Sequence, residues 1–570
     1  MAPEPSGELL QPREPRCPLS TMTPEHSTRW SAPAINNSSS SSSLTVQEQQ
    51  EKYVICIRGY SLRRKEQTIY PGDNFRQLAQ FLSESTQNVP SSNDNGVRNK
   101  PSKFVVIHLY ENGREKQQIE FQDSVSCLEA IQLPSLQPQS GSVIFMRGFP
   151  SSHWLKILGT HYRVDPEFFR RHLEISQSKV DYKLSYLYSS GPRIVRLRVT
   201  DIFVRPVTIT EEELISKRQE AARALRKYQM QLGAGGNVGE SIIRRISYHD
   251  GTYFTIEHDI SIYLKRSDRR GWYALVWNDV GRDLSQCPSA PWTRQGSSAD
   301  QIPDLAPVCQ PIRMYRERGS LAMNKNFIAS ASINRTAENL YQSSCLLPQA
   351  YGSSLNAQFI PDHPMYALSE IFSFAATSEH QFLSLIASLI HNEVYSDSRP
   401  PEFAVTNLKY AKDLLDDHAN SIQDNMRFLI KSDCVVTESR RDPSVDDRVK
   451  SVIEDYTTLL DTASKLSALC LQGMTIIANE ARLKEARNSS AQSKRSETLT
   501  LLAFFYLPLT LAASLFGMNV VQLGQGSVSI GWALLALFGF LMFQMAIYYG
   551  AKRVNEVVGL VDERLREALR

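Results

Sequence analysis

The chain has 570 residues, of which 22% are charged, and its formal net charge is +3. A charge this balanced excludes a strongly basic nucleic-acid-binding protein, so no nucleic-acid partner is expected. The eight cysteines form no CxxC pair and no Cys/His metal-binding spacing, which predicts reduced thiols and no resident metal cofactor.

The N-terminal part divides into a polar tail and a folded domain. Residues 1–51 are rich in Ser, Pro and Glu, contain too few apolar residues to form a core, and are predicted to be disordered. Residues 52–283 are predicted to form a cytosolic domain of mixed α/β composition, because strand-like runs alternate with helical runs. The predicted strands are Tyr53–Gly59, Phe104–Tyr110, Ser142–Gly148, Ile194–Ile209, Tyr253–Leu264 and Trp272–Val280, and the predicted helices are Ser152–Leu158 and Asp165–Leu173.

The middle of the chain changes from an irregular to a helical pattern. Residues 284–365 have weak periodicity and are predicted to be a linker or insertion, whereas 366–443 carry helical apolar stripes. A stalk helix is predicted over 444–497, since its apolar residues recur in steps of four and three, the period of helices packed lengthwise. No proline follows before Pro508, so this helix is expected to continue into the next segment.

The C-terminal segment from Thr498 to Ala551 contains no Asp, Glu, Lys, Arg or His. About 20 apolar residues of helix cross a bilayer, so the segment is long enough for two passes. The predicted parts are a first transmembrane helix at 498–516, a loop at 517–530, a second transmembrane helix at 531–550 and a tail at 551–570.

Basic residues indicate how this hairpin is oriented. Lys494 and Arg495 precede the first pass, Lys552 and Arg553 follow the second, and the loop between the passes has no basic residue. By the positive-inside rule, both termini are cytosolic and the loop lies outside. Because no apolar leader and no Arg-rich presequence is apparent, the expected location of this multi-pass protein is the plasma membrane.

The first predicted membrane helix carries a stripe of mostly small or hydroxylic residues on one face. Two interpretations remain open from spacing alone. The small residues could let membrane helices pack closely. Alternatively the stripe could line a water-filled path with apolar constrictions, which would require an oligomer, because two helices cannot enclose a pore. The stripe consists of Ser496, Leu499, Ala503, Leu507, Thr510, Ser514 and Gly517.

The segment TLTLLAFFYLPLTLAASLFGMNV resembles the pore helix of the CorA-type magnesium transporters, both in its PLT step and in its Gly-Met-Asn motif. The resemblance implies a CorA-like funnel: an α+β cytosolic domain followed by a long helical stalk and a two-helix C-terminal transmembrane hairpin, assembled as a homopentamer. It also implies that Asn519 forms the selectivity ring and contacts the hydrated ion through its water shell. The other implied site residues are Gly517 and Met518 of the motif, and Leu499, Leu507 and Thr510 along the pore.

The function implied by this resemblance is passive influx of a divalent cation, driven by the membrane potential. Mg²⁺ is the ion expected first. The expected partners are the lipid bilayer, Mg²⁺ and further copies of the chain. No enzymatic activity is expected, since no nucleophile–base pair or metal cluster is apparent in the sequence. The alternatives are transport of Co²⁺, Ni²⁺ or Zn²⁺, or a membrane-anchored sensor or scaffold with a relict pore. The absence of Asp and Glu from 520–530 is the observation that favours the last alternative.

Overall fold

The computed structural model describes most of the chain between Thr45 and Val554, with gaps. The described residues are 45–83, 104–111, 114–132, 141–174, 189, 191–205, 207–233, 238–266, 271–286, 304–309, 342–395, 400–433, 443–523, 535, 538–550 and 553–554.

The first described element is helix α1, Val46–Ser61, which begins inside the tail predicted at 1–51. Thr45 forms a capping box with Glu48, in which each side chain accepts a hydrogen bond from the other residue's backbone N–H. The predicted strand Tyr53–Gly59 is therefore wrong, because these residues lie in α1. Its β-branched residues suggested a strand, whereas the capping signal and the packing of Ile57 under the sheet favour a helix.

The other predicted strands and both predicted helices of this domain are present, with shifted ends. The predicted strand Ile194–Ile209 is shorter in the structure, where it ends at Val204. The elements that follow α1 are α2 Arg76–Ser83, β1 Val105–Glu111, β2 Arg114–Phe121, α3 Ser124–Ile131, β3 Gly141–Arg147, α4 Ser152–His161, α5 Pro166–Leu173, β4 Ile194–Val204, α6 Glu211–Gly233, β5 Arg245–Tyr248, β6 Tyr253–Arg266, β7 Trp272–Asn278 and β8 Asp304–Ala306.

These strands form one eight-stranded sheet in the order β2-β1-β3-β7-β6-β4-β8, with β5 paired to β6. The β3–β7 pair is parallel and the other pairs are antiparallel, which confirms an α+β region. Both faces of the sheet are buried, as alternate residues of β3 show. Val143 and Phe145 belong to one hydrophobic cluster, and Ile144 and Met146 belong to the cluster on the other face.

Helices cover both faces of the sheet. Helices α1 to α5 pack on one face, and α6 packs over β5 and the adjoining end of β6. The opposite face is covered by the helices of the second half of the chain. These helices are α7 Leu347–Ala350, α8 Pro364–Tyr395, α9 Pro401–Asp433 and α10 Pro443–Leu523.

Of the segment 284–365, which was predicted to be a linker or insertion, the described residues 304–306 and 342–365 contribute to the sheet and its core. Strand β8 extends the sheet by pairing with β4. Further along, Ser344, Tyr351 and Ile360 are buried against the sheet and α8.

Helix α10 is continuous over 81 residues, which corresponds to a rod about 120 Å long at a rise of about 1.5 Å per residue. Its first part packs against α8 and α9 through a stripe that includes Val449, Tyr456, Ala463 and Cys470. From residue 482 to residue 500 every side chain of α10 is exposed in the single chain. The helix therefore leaves the folded body well before it reaches the apolar segment.

Close packing of α10 on its neighbours depends on Gly473. An ideal Cβ at this position would lie 2.6 Å from Val394 Cγ2 and 3.2 Å from Leu408 Cδ1. Valine has little χ1 freedom to yield, so we expect Gly473→Ala to push α10 away and to lower the free energy of unfolding by about 1–2 kcal/mol. Thermal unfolding of the purified full-length protein measures this change.

The matched control is Gly59→Ala in α1, because a Cβ at Gly59 meets no atom within 4 Å. Alanine forms helix better than glycine by about 0.5–1 kcal/mol, so this variant should stabilise the protein. Equal stabilisation by both substitutions would show that α10 tolerates a side chain at position 473.

Candidate functional site in the C-terminal helices

Helix α10 carries all the predicted site residues on one backbone. Leu499, Leu507 and Thr510 lie in its apolar part, and Gly517 to Asn519 lie in its last turns, because the helix ends at Leu523. The loop predicted at 517–530 therefore starts inside α10. The side chains of Met518 and Asn519 lie outside the described part of the chain, so their roles stay predictions.

The predicted pore stripe lies in the exposed part of α10, which also includes Leu502, Phe504 and Tyr506. At about 100° of rotation per residue, Leu499, Leu507 and Thr510 fall within an arc of about 80°. Leu499 is 67% exposed and Leu507 is 71% exposed in the single chain. The hydroxyl of Thr510 donates to the carbonyl of Tyr506, so it is satisfied within its own helix. The described residues of the single chain leave this stripe accessible.

The opposite face of the same segment is partly covered. Leu501, Phe505 and Leu509 are half-buried, and their mean direction lies about 155° from the exposed stripe. Helix α11, residues 538–550, contacts this segment of α10 through Gln544, whose Nε2 donates to the carbonyl of Phe504 at 3.3 Å. The described contact between α11 and α10 is therefore at Phe504, which is not part of the predicted pore stripe.

Within the part of the chain that the structure describes, no helix is both long and apolar enough to cross a bilayer. The transmembrane hairpin over 498–550 accordingly stays a prediction.

A second set of polar residues lies in the body, where buried charges join the sheet to the helices that lead into α10. Arg198 Nε on β4 lies 3.3 Å from Glu257 Oε2 on β6, and its Nη2 lies 3.1 Å from Asp417 Oδ2 on α9. Burial would raise the pKa of Glu257, but Arg198 and His418 together hold this pKa well below its ordinary value. The carboxylate is thus charged and paired in the interior.

His418 on α9 is the central link of this network. It is fully buried, it hydrogen-bonds Glu379 on α8, and its Nε2 lies 3.5 Å from Glu257 Oε1 on β6. Burial favours the neutral imidazole, but the neighbouring carboxylates, Glu379 first, outweigh burial and raise the pKa of His418. The contacts of His418 therefore join α8, α9 and β6.

The contacts of His418 with Glu379 and Glu257 were not predicted from the sequence, although the apolar stripes of α8 and α9 contain a signal for them. His418 occupies an apolar stripe of α9, three residues after Leu415 and four before Ile422. Glu379 interrupts the stripe of α8 in the same way, three residues before Phe382. A charged residue at a core position of an amphipathic helix indicates a buried partner.

A buried Ser–His–Asp arrangement joins α5 to β6 and to Asp279, the residue that follows β7. His172 Nδ1 hydrogen-bonds Ser261 Oγ at 2.7 Å, and His172 Nε2 lies 2.8 Å from Asp279 Oδ1. None of the three side chains is accessible to a substrate, since each is at most 2% exposed. Asp279 is also paired with Arg244, so the group has the character of an internal ion-pair network.

Acid is expected to destabilise the body through its buried histidines. Burial lowers the pKa of His172 to about 4 and that of His249 to about 3, whereas both titrate near 6.5 when unfolded. Between these values the unfolded chain binds protons that the folded chain does not, so stability falls as the pH decreases from about 6.5 to about 4. Thermal unfolding of the full-length protein over this range measures the effect.

The variant His172→Gln cannot take up a proton and should flatten this decrease. The control is His380→Gln on α8, because His380 is exposed. Identical pH profiles for wild type and His172→Gln would show that His172 does not carry the acid sensitivity.

Comparison with known protein families finds that residues 405–550 match the model described as CorA-like Mg2+ transporter protein. The matched range begins in α9, includes His418, and contains all of α10 and α11. No curated protein matches the chain. The resemblance that the sequence predicted is therefore confirmed over the region that contains the candidate site.

Proposed function

We propose that the protein is a passive channel for Mg²⁺, assembled as a homopentamer, because residues 405–550 match the model described as CorA-like Mg2+ transporter protein. The observation that carries the proposal is the position of the predicted stripe on α10. Leu499, Leu507 and Thr510 are exposed in the single chain, whereas Leu501, Phe505 and Leu509 on the opposite side are half-buried. Five such helices, arranged with the exposed stripe inward, enclose a path that one chain cannot enclose.

The residues along this path suit a hydrated divalent ion. Mg²⁺ gives up its water reluctantly, so a conducting site works best when it accepts hydrogen bonds from the hydration shell. A ring of Asn519 carboxamides offers such acceptors without the tight binding of carboxylates, which would slow exit of the ion. Leu507 and Leu499 then form apolar constrictions further along the helix, and Thr510 supplies a hydroxyl between them and the motif.

The driving force is the membrane potential. Both termini are proposed to be cytosolic, with the Gly517–Asn519 motif at the outer mouth and the plasma membrane as the location. An inside-negative potential favours entry by about 2.3 kcal/mol per elementary charge per 100 mV, which is doubled for a divalent ion. No resident cofactor is needed for this transport.

The function is tested by reconstituting the purified full-length protein in liposomes that contain a Mg²⁺-sensitive dye. Influx is expected when an inside-negative potential is imposed, and the oligomer is expected to contain five copies by native mass spectrometry. Co²⁺, Ni²⁺ and Zn²⁺ are measured in the same way to establish the ion preference. If a folded pentamer conducts none of these ions, the protein is not a channel and the sensor or scaffold hypothesis replaces it.

A further inference from the structure

The apolar part of α10 contains a backbone defect. In an α-helix the carbonyl of residue i accepts from the N–H of residue i+4, so the carbonyl of Phe504 should be paired with position 508. Position 508 is a proline, which has no N–H, yet α10 continues through it. The carbonyl of Phe504 therefore needs a donor from elsewhere, and this need is greatest where no water is available.

Gln544 supplies that donor. Its Nε2 lies 3.3 Å from the carbonyl oxygen of Phe504, 40 residues away in the chain. Because that oxygen only accepts, the amide nitrogen rather than the amide oxygen must face it. Gln544 is 5% exposed, whereas its neighbours Phe543 and Met545 are 62% and 38% exposed.

The position of Gln544 on α11 shows that it belongs to the contact face. The least exposed side chains of this helix are Leu541, Gln544 and Tyr548, which are spaced by three and four residues and so share one face. The most buried of the three is the polar one. Burial of an amide is costly unless it is hydrogen-bonded, so a glutamine here indicates a specific acceptor. If this face of α11 only packed against α10, leucine or alanine would be sufficient at position 544.

We propose that Gln544 is a positioning residue for the pore helix: its side-chain amide replaces the main-chain donor that Pro508 withholds, and thereby fixes α11 to α10 where the helix ladder is interrupted. The inference rests on the proposed channel function for its consequence on transport, but the hydrogen bond itself does not depend on it. Leu507, on the exposed face, is adjacent to Pro508. The direction in which the Leu507 side chain points therefore depends on how the helix is fixed at the missing hydrogen bond of Pro508.

The test is a double-mutant cycle between positions 544 and 508 in the full-length protein. Gln544→Leu removes the donor and leaves the carbonyl of Phe504 unpaired. Pro508→Ala restores a main-chain N–H, so the same carbonyl no longer needs Gln544. We expect Gln544→Leu to lower the melting temperature of the detergent-solubilised protein by several degrees in the wild-type background, and to have little effect in the Pro508→Ala background.

The transport measurement separates a positioning role from a purely structural one. Gln544→Leu is expected to lower the maximum rate of Mg²⁺ influx roughly tenfold, the change that corresponds to one lost buried hydrogen bond. The Mg²⁺ concentration for half-maximal influx should stay constant, because Asn519 is unaltered. Addition of Pro508→Ala should restore the rate. Met545→Leu is the control, since it changes an exposed side chain of α11 without altering its polarity.

The outcomes of the two measurements are distinguishable. Additive changes in melting temperature would overturn the inference, whether or not the protein conducts ions. A non-additive cycle with normal influx in Gln544→Leu would overturn the positioning role. If wild type conducts no ion, the proposed function fails while the melting cycle still tests the hydrogen bond. Should Gln544→Leu not fold, Gln544→Asn keeps the amide but shortens its reach by one methylene, and is expected to show the same non-additivity.

Discussion

Replacement of Asn519 by alanine is expected to abolish Mg²⁺ influx or to make the influx unselective. An alanine ring presents no group that can accept hydrogen bonds from the water shell of the ion, so the outer mouth loses its proposed means of recognising a hydrated divalent cation. In a pentamer the substitution removes five carboxamides at once, which makes this the largest expected effect of any single change on transport. Liposome flux with Mg²⁺ and with a monovalent cation measures both rate and selectivity.

Two further variants test whether the effect is specific to position 519. Gln522→Ala removes a carboxamide three residues further along α10 and should leave influx near the wild-type rate. Asn519→Asp is expected to lower both the half-saturating Mg²⁺ concentration and the maximum rate, because carboxylates bind the ion more tightly and release it more slowly. Unchanged selectivity in Asn519→Ala would mean that the filter lies elsewhere along the helix.

Replacement of His418 by leucine is expected to lower the free energy of unfolding by about 3–5 kcal/mol, the usual cost of removing one partner from a buried charge network. The substitution leaves the carboxylates of Glu379 and Glu257 buried, with 5% and 2% of their surface exposed. The loss should be greatest below about pH 6.5. A histidine whose pKa is raised by folding stabilises the folded state fully below its unfolded value, and this contribution disappears as the pH rises through the folded value.

The control for this prediction is the double variant His418→Leu, Glu379→Leu, which removes an ion pair and leaves apolar side chains of similar size. It should be clearly more stable than His418→Leu alone. Removal of the exposed Lys465–Asp461 pair on α10 should change stability little. Thermal unfolding of the full-length protein from pH 6 to pH 9 measures all of these variants. If His418→Leu is as stable as wild type at every pH, His418 is not charged in the folded protein.

The elements predicted correctly from the sequence are those in which the polarity of the side chains matches their burial. Strands β3 and β7 lie in the middle of the sheet and are buried on both faces, so their apolar runs are unbroken. Strand β2 was missed because it is an edge strand with the polar sequence REKQQIEF. Helix α6 was missed because charged residues dominate its sequence. Its apolar face consists of Leu214, Ala221, Leu225, Tyr228 and Leu232.

The same distinction applies to the candidate site. That Leu499, Leu507 and Thr510 share a face follows from helix geometry alone, and the sequence sufficed to predict it. The contact between Gln544 and Phe504 could not be predicted, because it depends on how two helices are rotated against each other. Pro508 indicated only that a donor was missing; which residue supplies it is a property of the folded chain.

The exposed stretch of α10 from residue 482 to residue 500 has a consequence for the order of assembly. An isolated helix of this length is marginal in water, and Asn488, Ser489 and Ser490 form helix poorly. In a single copy the side chains of this internal stretch are exposed, so the helix bends more easily here than where it packs on the body. In the proposed pentamer, neighbouring copies would lie beside this stretch and stiffen it. Mechanical transmission between the body and the proposed channel would then be acquired only on assembly.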